Sequence, residues 1–95
     1  MSIEEITKKI TPILQQFDVE YAGIFGSVAR GEETETSDVD LMVCLRRPVG
    51  FVKLNTLSEN LEKILAKKVD LVEEEAVNKY LKPYIDKDLV QIYGI

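Results

Sequence analysis

Gly26-Ser27-Val28-Ala29-Arg30-Gly31, followed after a short polar loop by Ser37-Asp38-Val39-Asp40-Leu41, is the stretch whose reading decides the fold. Ile24 and Phe25 close an apolar run, so a buried strand stops at Gly26. Gly26 lets the backbone come close to a ligand. Ser27 brings a hydroxyl to the start of a short helix, residues 27–31, where free N–H groups attract phosphate oxygens. Asp38 and Asp40 stand two residues apart ahead of the apolar run from Leu41 to Leu45. On a strand that spacing puts both carboxylates on one face. Two adjacent carboxylates repel unless a cation sits between them, and hard oxygen ligands suit Mg²⁺. A phosphate cradle beside such a pair has the make-up of a nucleotide site. Alone, Asp-x-Asp more often marks a solvated strand end and Gly-Ser a plain turn; their order and separation carry the signal.

Working outward, the composition sets bounds. The ninety-five residues are read as one domain, 1–95, burying about 60–65% of the unfolded surface around one modest core. An apolar share of 45% and a charged share of 31% are those of a globular protein. No apolar run is long enough to span a bilayer and no charged-then-apolar leader opens the chain, so the expectation is a cytoplasmic protein without a membrane segment. A net charge of −5 argues against a nucleic-acid groove, which relies on clustered Lys and Arg. The absence of histidine removes Ser-His-Asp and Cys-His catalysis and histidine-ligated metals. Cys44, the single cysteine, falls in an apolar strand and is expected to be an inert core residue.

Before the decisive stretch, Ser2 and Glu5 form a capping box. Ile3, Ile6, Ile10, Ile13, Leu14 and Phe17 then recur at helical spacing. Pro12 is expected to kink this helix, or to make it restart at a Thr11 cap. Strand one follows at about residues 20–25. Residues 32–36 read as a solvated loop, and strand two, about residues 38–45, is apolar enough for a central strand. Leu54, Leu57, Leu61, Ile64 and Leu65 predict a second long helix, closed by Lys67 and Lys68 at the negative end of its dipole; phosphate steering is the alternative for these lysines. Strand three takes residues 69–72, a polar helix about residues 75–86 with Pro83 inside it, and a last, edge strand residues 89–93. Arg46 and Arg47 are expected to be solvated. Tyr80, Tyr84 and Tyr93 either pack the edge of the core, the default, or face a partner.

The site constrains the topology. Ser27 closes strand one and Asp38 opens strand two, so both can touch one ligand only if these strands run antiparallel. Strand two returns through the long helix to strand three, a crossover long enough for parallel pairing. Parallel pairing brings Asp70 beside Asp38 and Asp40, so three carboxylates converge. An Asp in a short strand can also do no more than cap a turn. For Arg30 two readings stand level: a phosphate contact, or a pairing with an acidic neighbour that locks the helix. Gly31 turns the chain into the loop.

Gly-Ser-x-x-Arg-Gly followed by Ser-Asp-x-Asp-Leu resembles the signature of the DNA polymerase beta-like nucleotidyltransferase superfamily. In size and pattern the chain is similar to its smallest branch, the minimal nucleotidyltransferases, typically encoded beside HEPN-domain toxins as antitoxins. Val69-Asp70-Leu71-Val72 resembles the strand that carries the superfamily's third aspartate. The resemblance implies an α/β (α+β) nucleotidyltransferase fold, in the order α-β-α-β-α-β, with a small mixed sheet flanked by helices. It implies two Mg²⁺ ions on Asp38, Asp40 and Asp70, the β- and γ-phosphates of ATP on Gly26 and Ser27, and a role for Asp70 in deprotonating the attacking hydroxyl. Larger members add domains that grip a template or acceptor, and no such domain is expected here. The expected function is therefore transfer of AMP to a hydroxyl, a tyrosine by preference, of a HEPN-domain toxin. Two alternatives stand beside it: a binding module that neutralises the toxin without chemistry, and transfer to a small molecule.

Overall fold

Ser2 starts the first helix by accepting the Glu5 N–H on its Oγ at 3.1 Å, the local bond that the capping pattern predicts. In the computed structural model, which describes residues 2–94, helix α1 runs Ile3–Gln16. Pro12 neither breaks nor restarts it. Thr11 lies mid-helix, its hydroxyl donating to the Thr7 carbonyl at 2.6 Å, and caps nothing. Proline removes one bond, to the Lys8 carbonyl, and both residues are exposed, so the loss falls on the solvent side. On the opposite side Ile6, Ile10 and Leu14 are fully buried and hold the helix to the core.

The remaining elements are β1 (Val19–Phe25), α2 (Gly26–Arg30), β2 (Val39–Leu45), α3 (Phe51–Leu65), β3 (Val69–Glu73), α4 (Lys82–Asp88) and β4 (Val90–Tyr93). The strands form one sheet in the order β3-β2-β1-β4. β1 and β2 are antiparallel, with Ile24 opposite Leu41 and Phe25 opposite Asp40. β2 and β3 are parallel, with Asp40 opposite Asp70, and β4 pairs antiparallel to β1 at an edge. This is the mixed sheet and strand pairing that the sequence predicts.

Side chains alternate across a strand, so the register sorts the sheet into two faces. Val39, Leu41 and Val43 of β2, with Ala22 and Ile24 of β1 and Val69 of β3, join Ile6, Ile10 and Leu14 of α1 and Leu57, Leu61 and Leu65 of α3 in one core cluster. Asp40, Met42 and Cys44 are out of phase with them and belong to the second face, as does Asp70 of β3. Met42 is buried there. Cys44 is not the core residue expected: it is half-buried, outside the cluster, and burial raises its thiol pKa ahead of the nearby Glu74 charge.

Two further expectations are corrected. α3 ends at Leu65 and Ala66 turns left-handed at φ 54°, so Lys67 and Lys68 lie beyond the helix rather than closing it. The polar stretch expected as one helix over residues 75–86 divides instead. Glu74–Ala76 makes a 3-10 turn, and α4 begins only at Lys82, with Pro83 in its first turn. Pro83 has no N–H for the Lys79 carbonyl and its ring collides with that group in a continued helix, whereas a first-turn position is free of both problems. Asn78 makes the break locally, its side-chain oxygen accepting the Tyr80 N–H at 2.8 Å. Tyr80 and Tyr84 are consequently exposed, at 73% and 74%, while Tyr93 packs against the core as expected. Arg46 is exposed as expected, 3.3 Å from an equally exposed Asp18.

Candidate active site

β1 delivers the chain to Gly26, whose φ of +76° lies in the left-handed region. Left-handed φ alone favours glycine, and space demands it as well: a Cβ at Gly26 would collide with Oδ2 of Asp40. The Asp40 carboxylate therefore lies directly against the backbone at the start of α2. The first N–H groups of a helix have no partner within it. Gly26 and Ser27, the expected phosphate-binding residues, supply those groups beside the carboxylate. Gly31 closes α2 in the left-handed region at φ 72°, with the next N–H returning to the Ser27 carbonyl at 2.9 Å.

The loop that follows is built rather than merely solvated. The Ser37 hydroxyl accepts the Thr34 N–H at 2.8 Å and the Thr34 carbonyl accepts the Ser37 N–H at 3.1 Å. This clasp fixes the residue that precedes Asp38. Lys67 reaches in from beyond α3 and donates its Nζ to the Glu35 carbonyl at 3.2 Å. The Val39 N–H donates to the Lys68 carbonyl at 2.9 Å, joining the starts of β2 and β3. Ser37 thus has a role at the site that the sequence reading does not assign, and Lys67, for which phosphate steering is the alternative reading, holds the loop through Glu35. For Ser37 the signal was available, since Thr-x-x-Ser is a turn-forming pattern.

The three aspartates meet at this end of the sheet. Asp40 and Asp70 are register partners on the second face, and Asp38 lies one residue before β2. Asp38 and Asp70 are exposed, and Asp40 is half-buried. Burial first, then the Asp70 and Asp38 charges, raise the Asp40 pKa above the ordinary carboxylate range, and only Arg30 opposes them. Asp40 thus feels both other carboxylates. Among the described residues no three such side chains are gathered closely enough to hold a metal ion as they stand. Their chemistry nevertheless suits a hard divalent cation: oxygen donors, one of them partly desolvated, whose mutual repulsion a cation would reverse.

Arg30 makes the acidic pairing that was one of its two expected roles. Its Nε donates to Glu32 Oε1 at 2.8 Å and its Nη1 to Asp88 Oδ2 at 2.7 Å. The aspartates lie on an open surface. A hollow of about 160 Å³ lies at the opposite end of β2, lined by Leu45, Arg46, Arg47, Val49, Leu54 and Glu73 among others. Neither it nor a larger hollow of about 680 Å³ beside Thr34, Glu35 and Lys67 takes in an aspartate, so the convergence of charge marks the candidate site. No described helix is long and apolar enough to cross a membrane.

Residues 8–95 match the family described as polymerase beta, nucleotidyltransferase. A Methanocaldococcus jannaschii protein, provisionally named a protein adenylyltransferase, is 39% identical over 97% of this chain and 99% of its own. Protein adenylyltransferase MntA of Thermococcus cleftensis is 31% identical over 97% of each chain. Among solved structures, a toxin–antitoxin crystal structure with AMP-PNP superposes with a TM-score of 0.84 at 23% identity, covering 94% of this chain and 73% of that one. A second, of tri-AMPylated Shewanella oneidensis HEPN toxin in complex with MNT antitoxin, gives 0.78 at 20% identity, covering 97% and 72%. At these identities the structural likeness is one of fold.

Proposed function

The chain belongs to the polymerase beta nucleotidyltransferase family, and from that premise we propose that it transfers AMP from ATP to a hydroxyl of another protein. The acceptor we infer is a tyrosine of a HEPN-domain toxin, and the metal Mg²⁺. One observation carries the reading: Asp40 is paired with Asp70 in the sheet and lies against Gly26 at the start of α2. A carboxylate pair thus adjoins the first N–H groups of α2, which supports a phosphate site beside a metal site. Adenylyl transfer to protein is supported by the names of the relatives, and the HEPN partner by the complex that shares this fold.

Asp38, Asp40 and Asp70 would hold the Mg²⁺ ions. When bound, such a pair of ions neutralises the charge on the attacking and leaving oxygens of an in-line displacement. Gly26 and Ser27 hold the β- and γ-phosphates through backbone N–H groups and the serine hydroxyl. The acceptor oxygen forms its bond to the α-phosphorus as the bond from that phosphorus to the bridging oxygen breaks. Pyrophosphate leaves, and Asp70, which is exposed, takes the hydroxyl proton. The cytoplasm is the compartment proposed, where a lone thiol such as Cys44 stays reduced.

The test is to incubate a purified HEPN-domain toxin with this protein, ATP and Mg²⁺, remove this protein, and weigh the toxin by intact mass spectrometry. Mass added in AMP units, and lost with Asp40→Asn, is the expected result. A toxin left unmodified and inhibited only while the complex persists would overturn the transferase reading and leave a binding module.

A further inference from the structure

Arg30 lies at the end of α2, and one of its two ion pairs is with a residue fifty-eight positions away. We propose that Asp88 is a positioning residue that holds the Arg30 guanidinium in place for the triphosphate of the bound nucleotide. The proposal rests on the nucleotide site described above.

Three observations carry it. The first is how Asp88 itself is held. Its side chain is 19% exposed, against 63% for Glu32, so the fold anchors Asp88 where it leaves Glu32 free in the loop. Asp88 is the last residue of α4. The next residue, Leu89, lies over Gly23 of β1 so closely that a Cβ there would come within 2.6 Å of it. The second is what the pairing leaves available. Of the five N–H donors of a guanidinium, Asp88 and Glu32 take one each, on Nη1 and Nε. The remaining donors include one on each terminal nitrogen, a fork that matches two phosphate oxygens. The third is location. Arg30 stands four residues, about one helical turn, after Gly26 on α2, and Gly26 lies against the Asp40 carboxylate. The guanidinium is therefore carried by the same short helix whose start adjoins the place where the phosphates would lie.

The physical consequence is preorganisation. A free arginine must be ordered when a ligand binds, which weakens binding; one already paired with an anchored carboxylate has less freedom left to lose. Asp88 acts through Arg30 and has no contact of its own with the nucleotide in this scheme.

The experiment is calorimetric titration of ATP and of AMP, each with Mg²⁺, into the wild-type protein and its variants. AMP lacks the β- and γ-phosphates, so a positioning role weakens ATP alone. Asp88→Asn is expected to weaken ATP binding by about three- to tenfold, with AMP unchanged, and Asp88→Glu to restore most of the loss. In an Arg30→Ala background Asp88→Asn is expected to have no further effect, because the two residues act as one unit. Should Asp88→Asn fail to fold, Arg30→Lys keeps the charge, loses the fork, and is expected to give the same ATP-specific loss. Equal weakening of ATP and AMP, additive effects in the double variant, or unchanged or tighter ATP binding would each overturn the proposal. A wild-type protein with no preference for ATP over AMP would bring down the nucleotide reading itself, a result distinct from all of these.

Discussion

The two faces of the sheet are made from the same strands and built on opposite terms. Toward α1 and α3, β2 presents Val39, Leu41 and Val43, all fully buried among aliphatic side chains. One residue out of phase, it presents Asp40, Met42 and Cys44. The first face is stabilised by removing apolar surface from water, a contribution of about 1.5–3 kcal/mol for each large side chain. The second face bears a half-buried carboxylate with two others near it, an arrangement that disfavours the folded protein at neutral pH. The difference teaches where stability and chemistry reside in so small a chain. The hydrophobic face holds the backbone tightly enough for the other face to keep like charges together.

Breaking the charged face should have the largest effect, a loss of activity with no loss of stability. Asp38→Asn combined with Asp40→Asn is expected to lower AMP transfer by at least about a thousandfold, about 4 kcal/mol of transition-state stabilisation. The melting temperature should stay the same or rise. Transfer of labelled AMP and a thermal melt, read on one preparation, check both halves, and wild-type transfer in the double variant would remove the aspartates from the site.

Breaking the apolar face should have the opposite signature. Leu61 is fully buried between α3 and the sheet, so Leu61→Ala is expected to cost about 2–5 kcal/mol of stability. Urea unfolding measures that cost. At temperatures where the variant is folded, ATP binding should be close to that of the wild type, since none of the candidate site residues belongs to the core cluster that Leu61 shares. A large loss of binding without a loss of stability would show that the two faces are not separable.

The smallest effect sharpens the comparison through pH. Asp40 has a raised pKa in the folded protein, so its protonated form favours folding. The stabilising contribution is full below the ordinary carboxylate pKa of about 3.8 and is lost as pH rises through the raised value. Asp40→Asn should therefore be more stable than the wild type at pH 7, by an increment that shrinks as the pH falls into the acid range. Denaturant midpoints at several pH values provide the check, and an increment independent of pH would mean that desolvation and repulsion at Asp40 are not its cause.

The parts of this architecture that were legible from sequence are those set by local pattern or by connection length. Gly26 and Ser27 end a strand, Asp38 and Asp40 begin one, and the crossover is long enough for β3 to lie parallel, the pairing that puts Asp70 beside them. Cys44 was misplaced although the period-two signal was present: counting from Asp40 through Met42 puts it on the charged face. The expected single helix over residues 75–86 fails because polarity gives no period to place its ends, and Pro83, taken as lying inside the helix, instead marks a start. Asp88 carried no signal at all. Its partner is on α2, and nothing in the residues around either one announces a contact across that distance. Lys67 was assigned to a helix end because the left-handed turn at Ala66 falls on a residue that rarely adopts it.

The in-register pairing of Asp40 with Asp70 has a consequence for how this sequence can change in length. A residue added or removed between Arg46 and Gly50, in the loop that leaves β2, can be absorbed before α3 begins, and the two carboxylates stay together. A deletion within β3 ahead of Asp70 cannot be absorbed. Removing Val69 alone would turn Asp70 to the apolar face and bring Leu71 out beside Asp40. The chain therefore tolerates insertion and deletion at one end of its central crossover and forbids them at the other, although both ends are exposed to the same mutations.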